Sequence, residues 1–159
     1  MKYIATLSCV LLATIVSAVP APANSPEAST SGDIAQPISV FYDERYDVGT
    51  TSLSTVACSD GINGLESSYA TFSSLPKFPM IGGAPTIAGW DSPACGKCYQ
   101  LHFQTDKIDE TINVLAIDTA SGGFNIGLKA MNSLTNDQAV NLGRVDATYV
   151  EVDKSLCGL

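Results

Sequence analysis

Short apolar runs separated by turn residues make up most of this chain. The clearest runs from Tyr99 to Gln104, where Tyr99, Leu101 and Phe103 fall on one side and Gln100, His102 and Gln104 on the other. That period of two predicts a half-buried strand. Ile38–Tyr42 predicts a first strand and Leu53–Cys58 a second. Thr111–Ile117 is apolar on nearly every position, as a central strand or barrel wall requires, and Asp118 follows at its end. Arg144–Val152 predicts the last strand. Helical signals are fewer: a turn within Tyr69–Leu75, a helix capped by Asn125 and running to about Leu134, and a second short helix in Asp137–Leu142. Pro76–Pro93 holds four prolines and three glycines, which predicts irregular chain. Short strands with one or two helices predict a small closed β-barrel.

The chain before Ile38 has a different texture. Lys2, an apolar run from Ile4 to Val16 and the small residues Val16-Ser17-Ala18 predict a secretory signal in residues 1–18. Residues 19–37 form a leader rich in Pro, Ala and Ser, with too few large apolar groups to offset its own ordering entropy. The remaining 38–159 reads as one domain.

Composition narrows the partners. The 159 residues carry a formal charge of −8, and loss of Lys2 with the signal makes the remainder one charge more acidic. Such a chain is a poor match for the phosphates of nucleic acid or for anionic membrane surfaces, while a neutral polymer stays open. Of the five cysteines, Cys9 lies in the signal. Cys58, Cys95, Cys98 and Cys157 remain, and an even number in a secreted chain reads as two disulfides. A Cys95–Cys98 bond would close a very tight ring. Cys58–Cys95 with Cys98–Cys157 and Cys58–Cys98 with Cys95–Cys157 both remain. The Cys95-Gly96-Lys97-Cys98 spacing lacks the strand-to-helix turn that a thioredoxin-like redox motif needs. With His102 as the only histidine and no second cysteine pair, a zinc site is not expected.

Six segments in order carry a family resemblance: ISVFYDERYD, VACSDGINGL, LPKFPMIGGAP, IAGWDSPACGKCYQL, NVLAIDTASGGFNIGLKAMNSLT and QAVNLGRVDATYVEV, followed by Cys157-Gly158-Leu159. Over about 120 residues the chain resembles the cerato-platanin family of secreted fungal proteins. The resemblance implies a mainly β fold, a six-stranded double-ψ β-barrel with short helices, similar to the first domain of expansins. It implies the pairing Cys58–Cys95 and Cys98–Cys157, and no cofactor. It implies a monomer, secreted or held in the fungal cell wall. Implied partners are chitin (N-acetylglucosamine) oligomers and other wall polysaccharide, with a plant host receptor. Implied activities are non-hydrolytic wall loosening and elicitation of plant defence.

The same resemblance places a sugar groove around Asp118, Thr119, Ala120 and Asn125, with Gly122 and Gly123 allowing close backbone approach. Tyr42 and Asp47, from the Tyr-Asp-x-Arg-Tyr-Asp stretch, and Asp60 are further candidates for its lining. Glycoside hydrolysis normally needs two carboxyl groups across the scissile bond. Related barrels that cleave cellulose carry an acid where this chain has Gly123-Phe124-Asn125, and an amide cannot act as general acid. That leaves Asp118 with Asp60 or Asp146 as a conceivable partner, so hydrolysis is the alternative to binding, and self-assembly at interfaces a third reading. Trp90, the only tryptophan, is expected to pack against the barrel rather than to face water, and His102 to face water without a ligand role.

Overall fold

The computed structural model describes residues 34–159. The signal peptide and most of the leader read from the sequence fall outside the described residues. Six strands close a barrel in the order β1-β5-β2-β4-β3-β6, with β6 returning to pair with β1. They are β1 (Gln36–Tyr42), β2 (Ile81–Ala84), β3 (Cys98–Gln104), β4 (Asp109–Thr119), β5 (Phe124–Ile126) and β6 (Arg144–Val152). β1–β5 and β2–β4 are parallel, and the other pairs antiparallel. Two short helices, α1 (Leu128–Thr135) and α2 (Ala139–Leu142), follow β5. This is the mainly β, six-stranded barrel with short helices that the resemblance implies.

Apolar patterning explains the walls. In β3, Tyr99, Leu101 and Phe103 are buried, as their alternation predicts. β4 is apolar on both faces because it has a core on each side. Val114 and Ala116 belong to the barrel interior with Tyr99, Leu101 and Phe124. Leu115 and Ile117 belong to a second core with Tyr46, Leu53, Phe72, Leu75 and Ile81, formed where the long 44–78 connection folds over the outside of the wall. Each such fully buried aliphatic side chain contributes about 2 kcal/mol.

The disulfides are Cys58–Cys95 and Cys98–Cys157, the pairing implied by the resemblance. The first joins the loop after the 44–57 segment to the loop before β3. The second pins the C-terminal turn to the start of β3.

Three local readings are corrected. Leu53–Cys58 is not a strand: Leu53–Thr55 is one turn of 3-10 helix, started by the Ser52 hydroxyl accepting from the Ser54 amide. Its apolar residues Leu53 and Val56 face the second core rather than a sheet. Pro76–Pro93 contains β2, a full member of the barrel wall. Its glycines are there because two backbones press against it. A Cβ on Gly82 would stand 2.4 Å from the carbonyl oxygen of Asn125, and one on Gly83 2.6 Å from that of Thr119. Asn125 does not cap a helix but lies in β5. α1 starts three residues later behind Gly127, which has no capping side chain. β1, for its part, begins at Gln36 and so includes two residues of the stretch read as leader.

Candidate functional site

β2 organises one end of the barrel. Gly83 is paired with Asp118 of β4 on one side and Asn125 of β5 on the other, and Ala84 with Thr119. A bulge between Gly82 and Gly83 shifts the β4 register at this point. Asp118 and Asn125 are therefore separated at the backbone by about two inter-strand spacings, roughly 10 Å.

Asp118 is saturated. Its Oδ2 accepts from the Tyr46 hydroxyl at 3.0 Å and from Nη2 of Arg45 at 3.1 Å. Its Oδ1 accepts from the backbone amides of Ala57 at 3.0 Å and Thr119 at 2.9 Å. A carboxylate offers about four lone-pair sites, and all four are filled. Burial, and then the negative charge of Asp118, push the Tyr46 phenol well above its ordinary range, so it stays a donor. Arg45 also lies over the Tyr46 ring, 5.0 Å from its centre. The side chain of Asp118 is only 13% exposed, against 44% for Arg45.

The turn Glu44–Asp47 that carries Arg45 and Tyr46 also reaches α1. Both carboxylate oxygens of Asp47 accept from the Lys129 amide at 3.3 Å, supplying from outside the cap that Gly127 lacks. Tyr42, at the end of β1 opposite Ile126, is half-buried against the barrel core. Ala120 is buried while Thr119 is exposed. Gly123 has φ +145°, and a Cβ there would run into the Ser39 carbonyl oxygen, so only glycine fits. Asn125 is half-buried, and its Oδ1 is a buried acceptor without a hydrogen-bond partner within the protein.

The structure thus brings Asp118, Thr119 and Asn125 to one end of the barrel around Gly83. Asp60 is not among the partners of Asp118. It accepts instead from the Ser59 hydroxyl at 3.2 Å and the Trp90 indole at 2.7 Å. Asp146 accepts from the Ser39 hydroxyl at 3.2 Å. The position across Gly83 from Asp118 is held by an amide.

The expectation for Trp90 is corrected: it is 65% exposed. Its loop is held by polar ties to residues 60–63 rather than by burial of the indole. The sequence contained Asp60, Asn63 and Asp91, but nothing in their spacing joins two loops almost thirty residues apart. His102 lies on the outer face of β3, its Nε2 2.7 Å from Oδ1 of Asp109. Among the described residues no cluster of His, Cys, Asp or Glu has the makings of a metal site, and no helix is long and apolar enough to cross a membrane.

Known proteins are similar to this chain in sequence and in fold. "Allergen Asp f 15" of Aspergillus fumigatus is 51% identical over 157 residues, covering 99% of this chain and 97% of its own. The protein named cerato-platanin from Ceratocystis fimbriata f. sp. platani is 40% identical over 124 residues, which span 77% of this chain and 88% of that one. Among solved structures, cerato-platanin 2 from M. perniciosa superposes with a TM-score of 0.76 at 44% identity, covering 78% of this chain and all of that one. The solution structure of the fungal elicitor cerato-platanin gives 0.68 at 40% identity, over 76% of this chain and 96% of its own. The sequence model of the cerato-platanin family matches residues 38–159, and with that fold, those disulfides and those relatives the chain belongs to the cerato-platanin family.

Proposed function

We propose that this protein is a secreted, non-catalytic polysaccharide-binding protein. Its ligands are chitin oligomers and cell-wall glucans. Its roles are expansin-type loosening of the wall and elicitation of plant defence. The signal sequence and the two disulfides support secretion.

The single observation that carries the non-catalytic reading is the saturated state of Asp118. A general acid or base must exchange a proton with the substrate, and a nucleophile needs a free lone pair. Asp118 has four donors on four sites, and Asn125 stands where a second carboxyl would be needed. The carboxylate acts instead as the organiser of a polar surface. It holds Arg45 at the rim, orients the exposed Thr119, and ties the 44–57 segment to the end of β4. Arg45, Thr119 and Asn125 then supply donors and acceptors for sugar hydroxyl and N-acetyl groups. The elicitor named among the solved relatives is consistent with recognition by a plant host.

The test is a calorimetric titration of the mature protein with chitin tetramer, with reducing ends assayed in the same samples. Heat of binding without product is the expected result, with weaker binding by Thr119→Val and Asn125→Ala. New reducing ends would replace this reading with a hydrolase. No binding to chitin or glucan, with concentration-dependent assembly, would replace it with a surface protein.

A further inference from the structure

Trp90 is a large apolar side chain left facing solvent, and its surroundings hold it in that position. Its indole Nε1 donates to Oδ1 of Asp60 at 2.7 Å, which fixes the ring edge and leaves the ring exposed. The next residue, Asp91, has φ +54°, a conformation that is uncommon for a residue with a side chain. It is held there from outside. Its Oδ1 accepts from the Asn63 amide at 2.7 Å, and its carbonyl accepts from Nδ2 of Asn63 at 2.8 Å. The 60–63 turn admits Asp91 only because residue 61 is glycine. A Cβ there would lie 2.6 Å from the Asp91 carboxyl, and Gly61 itself has φ +96°. The Cys58–Cys95 bond fastens the two loops a few residues away. Two loops, a left-handed Asp91 backbone and three hydrogen bonds thus serve to present one indole.

This platform joins the Asp118 end of the barrel through one residue. The Ala57 amide donates to Oδ1 of Asp118, and the Ala57 carbonyl accepts from the Asp91 amide at 3.4 Å. Resting on the polysaccharide-binding reading, we propose that Trp90 is a stacking subsite for a neutral pyranose ring, with Asp60 as its positioning residue and the Asp118 surface as its neighbour. A pyranose has an apolar C–H face for the indole and outward hydroxyl donors for carboxylate oxygens beside it. The flanking Asp60 and Asp91 disfavour an anionic glycan or lipid. Ile62, 95% exposed, lies in the same turn, but two side chains make a far smaller apolar area than a stable protein dimer needs.

Trp90 is the only tryptophan in the chain, so its fluorescence reports this position alone. The mature protein is titrated with chitin hexamer, followed by calorimetry and by intrinsic emission. Expected is an emission change that saturates with the calorimetric isotherm. Trp90→Ala should weaken binding about tenfold and Trp90→Phe less, with unchanged unfolding midpoints. Asp60→Ala, which frees the indole, should lower affinity while keeping the aromatic ring. Calorimetric binding with unmoved emission and an unaffected Trp90→Ala would overturn the subsite and leave the binding reading standing. No heat from the wild type would remove both. An emission shift on concentrating the protein without sugar would assign the platform to a second copy of the chain.

Discussion

The Tyr46 hydroxyl donates to the same Asp118 oxygen that receives the Arg45 guanidinium, at 3.0 Å and 3.1 Å. The two contacts differ in setting, because Tyr46 is buried and Arg45 is partly exposed. Loss of a buried donor leaves an acceptor unmet, which costs about 1–3 kcal/mol, whereas an exposed ion pair contributes about 0–1 kcal/mol. Tyr46→Phe should therefore destabilise the protein more than Arg45→Ala in urea unfolding. The reverse order would mean that the ion pair holds Asp118 in place.

Gly83→Ala should be among the most damaging changes of a single methyl group. The added Cβ meets the Thr119 carbonyl oxygen at 2.6 Å and the Ala120 Cβ at 3.0 Å, so β2 or β4 has to move. A loss of about 3 kcal/mol is expected, with weakened glycan binding because Asp118 and Asn125 are spaced by this strand. Gly89→Ala, where a Cβ meets nothing within 4 Å, should be neutral within about 0.5 kcal/mol. Equal unfolding midpoints for the two variants would contradict the role given to Gly83.

The Trp90 environment should respond to acid. The Asp60 carboxyl is held below its ordinary value of 3.8, first by the indole N–H and then by the Ser59 hydroxyl. A depressed carboxylate supports the folded arrangement above the ordinary value and loses that support as pH falls through its own. Tryptophan emission should stay constant from neutral pH to about 4 and change only below it. Asp60→Asn, which keeps an acceptor but does not titrate, should abolish the change. A transition above pH 5 would show that another group controls the indole.

Reduction of the disulfides should lower stability sharply. The bonds span 37 and 59 residues, and loop-closure entropy gives about 4 kcal/mol for each. Unfolding midpoints with and without reductant, after alkylation of the thiols, provide the measurement. An unchanged midpoint would mean that the two cores alone hold the barrel.

Strands with local periodicity were legible. Tyr99–Gln104 shows its buried face by alternation alone, and the doubly apolar Thr111–Ile117 identifies itself as a wall with cover on both sides. β2 was not legible, because its Gly-Gly pair looks like a turn when no neighbouring backbone is in view. Leu53–Val56 misled for the opposite reason, since apolar residues that serve a core look alike in a strand and in a 3-10 turn. Asn125 resembles a helix cap three residues before α1. It is a strand residue because β5 pairs with both β1 and β2.

The sequence by itself determined four of the six barrel strands, β1, β3, β4 and β6, together with the four cysteines that pair and the family, since each is written in local pattern or contiguous motif. Tertiary structure decided what Asp118 and Trp90 can do. The groups that saturate Asp118 come from positions 45, 46, 57 and 119, and those that present Trp90 from 60, 63 and 91. Hydrogen bonds and backbone collisions act over a few ångströms in space, and chain closure alone brings such distant positions within that range.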